Sequence, residues 1–583
     1  MRTYGVVGYA AGDGSRRSRG RWLVRAEPQV MVRLKRVLPR AGQDRAGYLV
    51  LADTPELAAD LDWVMARWPL RFQAARGESG VSAAEAAARM REQAARHRAA
   101  GQAAERILAG RPLTLALGEP ARQPRPYQQA AADLAVTMRG LLVGDEIGLG
   151  KSFVGALVLG AAGGLPGVVV CDTHLPPQWT RELALAWPHL AVHTVTGTRP
   201  YDPAKKLRGR QPDVLVVPYP RLAGWADFLV GWAATVVFDE MQELRHGTST
   251  AKGLAAARLA DACTYRVGLT ASPVYNYGTE MWNLVDILRP DALGSLEEFR
   301  REWGDGGLKG MVRDPKALGA YLRAESVLLA RTRRDVGREV PEPVLVEQPT
   351  EADPAVLAAA ESDAAQLARF LLDRANSWAQ RGQAARDLDW RLRQATGIAK
   401  APFVAAFVRM LLETEQRVIV FGWHRAVYDL LAEALAEYRP VLYTGSEDER
   451  GKERAKQAFA AGHARVLLMS LRSGKGVDGL QDMCSVAVFA ELDWSPETHR
   501  QAVGRLWRDG QQATVVAYFC LAGDGSDPVL AQYLDIKRMQ AEPMVRPDTA
   551  GLRPAPPSAE RVRALAQQVL RRRAGNSGLG GAA

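Results

Sequence analysis

From about residue 121 onward, short apolar runs alternate with longer stretches of helical periodicity. Leu141–Val143, Val168–Cys171, Val214–Val217, Val236–Phe238 and Tyr265–Leu269 are continuous apolar runs rich in β-branched residues. Runs of that kind fit strands buried on both faces, and the helical stretches between them predict a parallel sheet covered on both sides. A second series, Val418–Phe421, Val441–Tyr443, Val466–Met469, Val486–Phe489 and Val515–Phe519, predicts a second such sheet. Residues 350 to about 413 lack strand patterning and read as a helical connection that can protrude from the lobes.

The first 120 residues pattern differently. Arg21–Arg25 and Gly47–Ala52 are strand candidates, and Thr54-Pro55-Glu56 opens a helix through Trp68, with threonine as cap and proline in the first turn. Val81 to Ala109 is alanine-rich and charged, a long helix leading onward. After about 545 the chain turns rich in Pro, Arg and Gly; Val562, Leu565 and Val569 line one face of a last short helix, and the final GNSGLGGAA is expected to be disordered. The expected fold class is α/β. Residues 1–120 form an α+β accessory domain, 121–345 a first lobe, 346–413 a helical linker or protrusion, 414–545 a second lobe, and 546–583 a basic, partly disordered tail.

A formal net charge of +11 turns attention to polyanionic partners, nucleic acid above all, although an arginine-rich solvated surface gives the same sum. Arginine is dense between Arg16 and Arg40, where DNA contact and a solvated face are both open readings. Cys171, Cys263, Cys484 and Cys520 lie far apart, which suggests reduced thiols in a cytosolic protein and neither a disulfide framework nor a zinc site. The N-terminus lacks a signal-peptide core. The window Phe153 to Val170 is broken by Gly163-Gly164 and Pro166-Gly167, so no membrane span is expected there.

The chemistry centres on residues 144–152, GDEIGLGKS, between a strand candidate and an apolar helix candidate. Such a turn aims backbone N–H groups and a helix N-terminus at an anion; Lys151 reaches the β/γ-phosphates and the Ser152 hydroxyl can hold Mg²⁺. Asp145 stands where the general phosphate-loop pattern has glycine. Upstream, Arg125-Pro126-Tyr127-Gln128 offers an amide whose donor and acceptor match the N6/N7 edge of adenine. Thr235 to Phe238 is an apolar strand that ends in Asp239 and Glu240, the first suited to the Mg²⁺ water shell and the second to deprotonating an attacking water. Thr270 and Ser272, after another strand, carry hydroxyls that could connect these acids to a nucleic-acid face, or simply form a turn. Downstream, QAVGRLWR places Arg505 and Arg508 on one face if the segment is helical, a spacing open to arginine fingers on a γ-phosphate.

In order, RPYQ, DEIGLGKS, DEMQ, GLTASP and QAVGRLWRDGQ resemble the motif series of superfamily two helicases, and more narrowly the Swi/Snf-like, chromatin-remodeller-type ATPases. VVVCDTHLPPQWTREL (168–183), LARTRRDV (329–336), the stretch Gly476 to Leu480 and Asp493-Trp494-Ser495-Pro496 are similar to further signatures of that family, which typically carries D-E-x-G-L-G-K-[ST] and so accommodates Asp145. The resemblance covers roughly 125 to 545 and implies two RecA-like lobes that bind ATP in the cleft between them. It implies Gln128 at adenine, Lys151 on the β/γ-phosphates, Ser152 and Asp239 on Mg²⁺, and Glu240 as catalytic base. Arg505 and Arg508 become fingers, Gln501 sits near the γ-phosphate, and Arg125, Gly148, Gly150, Gln242 and Gly476 complete the nucleotide contacts. Gln242 replaces the family's usual histidine and Gln481 its frequent asparagine, so coupling can differ while hydrolysis survives. The unit before 121 resembles accessory domains that precede the motor in annealing-helicase relatives.

The implied activity is a DNA-dependent ATPase that translocates on duplex or forked DNA, with ATP and Mg²⁺ as cofactors and no membrane partner. A strand-separating or RNA-dependent helicase, and a DNA-binding scaffold with a vestigial nucleotide site, are the alternatives. A stand-alone chain of this kind suggests a bacterial or phage source and a cytoplasmic location, with the nucleoid or the host cytoplasm as its setting.

Overall fold

Among the described residues the strands form three separate sheets. In the computed structural model the described residues are 2–12, 20–74, 81–111, 120–270, 278–290, 292–304, 312–338, 341–373, 377–471, 479–508, 510–534 and 564–570. The chain divides into two units: Met1–Glu146 with Gly150–Arg331, and Ile147–Leu149 with Thr332–Ala583.

The first unit opens with β1 (Gly5–Ala10), β2 (Arg21–Ala26), β3 (Gly42–Gln43), β4 (Leu49–Ala52) and β5 (Leu70–Phe72), in the order β3-β4-β2-β1-β5. Alternation puts Trp22 and Val24 on the covered face, where the helices Pro28–Val37 and Pro55–Arg67 pack against them. Thr54 caps the second of these through the amide of Leu57 at 3.2 Å, as its sequence predicts. The long helix Ala83–Leu108 starts on a Ser82/Glu85 capping box. Its first turns bury Ala86 and Met90 in the small domain's core, while Ala104 and Ile107 belong to the core of the sheet that follows. One helix therefore ties two cores together.

The contact between them is also polar. Buried Arg40 donates to Glu302 (2.5 Å), Glu56 (3.3 Å), the Ala292 carbonyl (3.1 Å) and the Tyr321 hydroxyl (2.5 Å). A guanidinium buried this way needs several acceptors to offset its desolvation, and here it finds them on both sides of the junction.

The second sheet runs β6 (Leu141–Val143), β7 (Gly167–Cys171), β8 (Val192–Thr194), β9 (Val214–Pro218), β10 (Thr235–Phe238), β11 (Tyr265–Leu269) and β12 (Leu328–Leu329) along the chain. In space the order is β12-β6-β11-β10-β7-β9-β8, and every pairing is parallel. Helices on both faces supply the two cores that bury its valines and leucines. This is the α/β architecture expected.

In the other unit, β13 (Val344–Thr350), β14 (Val418–Gly422), β15 (Val441–Tyr443), β16 (Val466–Ser470), β17 (Val486–Phe489) and β18 (Val516–Ala522) form an all-parallel sheet ordered β13-β18-β17-β14-β16-β15. The first unit ends at Arg331 and β13 pairs with β18, so the passage between units comes earlier than an end of the first lobe at 345. The reason is that β13 is a half-exposed edge strand with Glu347, Gln348 and Pro349 inside it, which hides its pattern. The helical segment also behaves differently from a protrusion: helices Pro354–Leu372 and Trp378–Thr414 bury Ala364, Ala365, Leu388, Val404 and Val408 in this unit's core. The helix Trp378–Thr414 is long and apolar enough to cross a membrane over Ala379–Thr414, but 61% of its apolar 18-residue window is buried inside the protein, as for a core helix. Of the tail, residues 564–570 are helical and pack Leu565, Ala566 and Val569 into the same core; Val562 lies outside the described residues. All four cysteines are buried and free.

Candidate nucleotide site

In the first unit the candidate residues gather at the carboxyl ends of β6, β10 and β11, the edge at which open α/β sheets bind ligands. The helix Lys151–Leu159 begins directly after the glycine turn, with Gly150 as its N-cap at φ +74°. A Cβ at Gly150 would also land 2.5 Å from Nε2 of Gln128, so backbone conformation and space both require glycine. Gly148 likewise sits at φ +91°. Lys151 and Ser152 stand at the helix N-terminus, where the macrodipole favours an anion. The Lys151 ammonium donates to the loop's own carbonyls, Asp145 at 2.5 Å and Glu146 at 3.3 Å, which holds the loop wrapped around it.

Gln128 is buried in the first turn of helix Pro126–Met138, and its Oε1 accepts from the backbone N–H of Arg125 at 3.1 Å. Its amide is thus fixed beside the phosphate loop. The Arg125 guanidinium reaches the Tyr127 hydroxyl at 3.4 Å.

Asp239 follows the last residue of β10, and its Oδ2 accepts from Trp179 Nε1 at 2.8 Å while its Oδ1 takes the Glu240 amide at 3.0 Å. Burial, and then the neighbouring Glu240 carboxylate, raise its pKa above the usual carboxylate range, against the lowering effect of the Trp179 hydrogen bond. A buried Asp239 carboxylate with that bias is one a divalent cation relieves, and Ser152 adds a hydroxyl from the first turn of the neighbouring helix. No group of three or more His, Cys, Asp or Glu side chains with metal-binding geometry occurs among the described residues. The donor set therefore fits Mg²⁺ bound through few protein oxygens, with substrate phosphates and water completing its shell.

Glu240 has left-handed backbone angles, φ +46° and ψ +53°. For a residue with a Cβ this costs about 1–3 kcal/mol. The turn brings its carboxylate to Gln242, whose Nε2 donates to Glu240 Oε2 at 2.5 Å and whose Oε1 accepts from the Thr270 hydroxyl at 2.7 Å. Gln242 is buried. Glu240, Gln242 and Thr270 are therefore one continuous run from the end of β10 to the end of β11. Ser272 and Gly476 lie outside the described residues.

The remaining candidates belong to the second unit. Gln501 is in helix Pro496–Val503 and donates to Glu497 at 3.2 Å. Helical continuation through Arg508 does not occur: Gly504 caps the helix and Arg505 and Arg508 follow in turns. Arg505 is buried, with its guanidinium 4.0 Å from Met469 Sδ, and Arg508 Nε donates to the Gly504 carbonyl at 3.2 Å. The two arginines therefore do not share a helix face. Near them Arg333 stacks over the Trp507 ring at 3.7 Å and donates to the Trp507 carbonyl at 2.6 Å.

Sequence reasoning assigned nothing to Trp179, Arg331 or the Asp145 side chain. Asp145 is almost fully buried against Arg331, and its departure from the glycine of the general pattern was the available signal. For Trp179 only its place in the Q-W-x-x-E-L stretch pointed to it.

The SNF2-related domain matches residues 21–347, more than half of the chain, and the helicase conserved C-terminal domain matches 403–510. The Drosophila melanogaster SWI/SNF-related matrix-associated actin-dependent regulator of chromatin subfamily A-like protein 1 is 24% identical over 436 residues, 72% of this chain and 55% of that protein. The mouse DNA annealing helicase and endonuclease ZRANB3 is 24% identical over 432 residues, 71% of this chain and 40% of that protein. The chain thus spans about half the length of these relatives. Among solved structures, the Sulfolobus solfataricus SWI2/SNF2 ATPase core in complex with dsDNA has a TM-score of 0.37 and 18% identity, covering 78% of this chain and 99% of that one.

Proposed function

The chain belongs to the SNF2-related family of superfamily-two helicase-like ATPases, and on that premise we propose that it hydrolyses ATP to drive movement along duplex DNA. The observation that carries the reading is the convergence, at one sheet edge, of the Lys151 helix N-terminus with Asp239 and with the Glu240–Gln242–Thr270 run. Lys151 binds the β/γ-phosphates. Ser152 and Asp239 would hold Mg²⁺, which when bound would supply positive charge against the charge developing on the phosphates. Glu240 takes the proton of the attacking water, oriented by the Gln242 amide. From the second unit, Arg505 and Arg508 are the proposed fingers for charge on the transferring phosphoryl group, and Gln501 is a further candidate for it. The run to Thr270 offers a path by which the state of the γ-phosphate reaches the nucleic-acid face. Gln242 itself does not titrate, so its amide adds no proton-dependent step to that path.

Duplex DNA is the proposed track, supported by the net charge of +11 and by the names of the relatives. Contacts to phosphates would make binding sequence-independent and strongly salt-dependent. Steady-state ATP hydrolysis tests this, measured without nucleic acid and with duplex, single-stranded and forked DNA and RNA. Strong stimulation by duplex or forked DNA, absent in Lys151→Ala, is expected. Stimulation by RNA alone would transfer the chain to the RNA-dependent alternative, and nucleotide binding with no turnover on any polymer would leave a scaffold.

A further inference from the structure

Arg331 makes more directed contacts to the nucleotide-site loops than any role assigned so far requires. Its Nε and one terminal nitrogen fork onto the Asp145 carboxylate at 3.1 and 2.6 Å, and its own backbone N–H adds a third bond to the same carboxylate at 3.0 Å. The other terminal nitrogen donates to the Tyr127 carbonyl at 3.0 Å, with the guanidinium 5.6 Å from the Tyr127 ring centroid. The Arg331 carbonyl accepts from the Glu146 amide at 2.9 Å, which extends the β12–β6 ladder to the start of the phosphate loop.

Each partner is one step from a nucleotide contact. The Asp145 carbonyl holds Lys151. Tyr127 precedes Gln128, whose amide packs against Gly150. A planar fork fixes both direction and distance, which a point charge on a flexible stem does not.

We propose that Arg331 is a positioning residue that sets the spacing between the adenine-reading Gln128 turn and the phosphate-holding Lys151 loop, and thereby the selection of adenine nucleotides. It touches neither the reacting atoms nor the substrate. The inference rests on the nucleotide-site reading above. Loss of the spacer weakens binding of ground and transition states together, which raises KM more than it lowers kcat. It also frees the base end, so discrimination against guanine falls.

The test measures equilibrium binding of fluorescent ATP and GTP analogues, together with hydrolysis of ATP and GTP, for the full-length wild type, Arg331→Lys and Asp145→Asn. Lysine keeps the charge without the fork, and asparagine keeps the shape of the acceptor without its charge. Both variants are expected to bind the ATP analogue at least tenfold more weakly, to lose most of the ATP-over-GTP preference, and to show a larger change in KM than in kcat. Unchanged affinity and preference, or a lower kcat at unchanged KM with a lowered melting temperature, would overturn the proposal and leave Arg331 a purely structural brace. If one variant fails to fold, the other decides. Failure of the broader reading looks different: the wild type itself would then not bind ATP.

Discussion

At the residue scale, the Glu240 backbone is where the chain spends stability on geometry. Its left-handed conformation is unfavourable for any residue with a side chain, and it is held because the Gln242 amide locks the carboxylate in place. Glu240→Gln retains the shape and removes the base. Its turnover is expected to fall roughly 10²- to 10⁴-fold, the range for losing a positioned proton acceptor, while equilibrium ATP binding stays within a few-fold of wild type. Gln242→Ala cuts the run to Thr270 instead. Hydrolysis without DNA should then persist while the ratio of stimulated to unstimulated rate drops severalfold. Equal loss of both rates in Gln242→Ala would mean that the amide serves chemistry alone. Asp145 illustrates how a departure from a general motif can report structure: its carboxylate is committed to Arg331.

At the element scale, the inner strands of both parallel sheets were legible because each is a continuous apolar run. Leu141–Val143, Tyr265–Leu269 and Val486–Phe489 fall where the pattern puts them, and so does the short edge strand Val441–Tyr443, whose run is apolar throughout. Edge strands of mixed sequence were not, since one side of an edge faces solvent and admits polar residues: Val192–Thr194 and Val344–Thr350 are half-exposed along their length. Gly5–Ala10 was hidden by glycine at two of its positions. The Arg505–Arg508 segment carried helical spacing, but Gly504 ends the helix before it. Of the candidate site, residue types and order could be read from the chain; the pairing of Asp239 with Trp179 and of Asp145 with Arg331 could not, because both join segments distant in sequence.

The long helix Trp378–Thr414 carries an element-scale prediction. Inside the second unit's core, Lys400 donates to Asp527 at 2.6 Å and to the Cys520 carbonyl at 2.7 Å, and both charged side chains are nearly inaccessible. Removing one partner leaves an uncompensated buried charge, so Lys400→Met should destabilise the unit by about 3–5 kcal/mol in denaturant unfolding. The double variant Lys400→Met/Asp527→Leu should recover most of that loss. Additive losses would show that the pair is not coupled.

At the scale of the whole molecule, the first 120 residues are built into the first unit. The shared helix Ala83–Leu108 and the buried Arg40 fork join the small sheet to the larger one, so the accessory sheet is part of the body that carries Lys151, Asp239 and Glu240. The second unit carries Gln501, Arg505 and Arg508. On the proposed function ATP hydrolysis requires both sets, and motion is the property that separates a motor from a DNA-stimulated hydrolase.

The most direct measurement is displacement of a triplex-forming oligonucleotide from a duplex, which needs movement along DNA and no strand separation. ATP-dependent displacement by the wild type, lost in Lys151→Ala and weakened as salt rises, is the predicted result. Duplex-stimulated hydrolysis with no displacement at any salt concentration would contradict the account and reduce the protein to an ATPase that binds DNA without travelling on it.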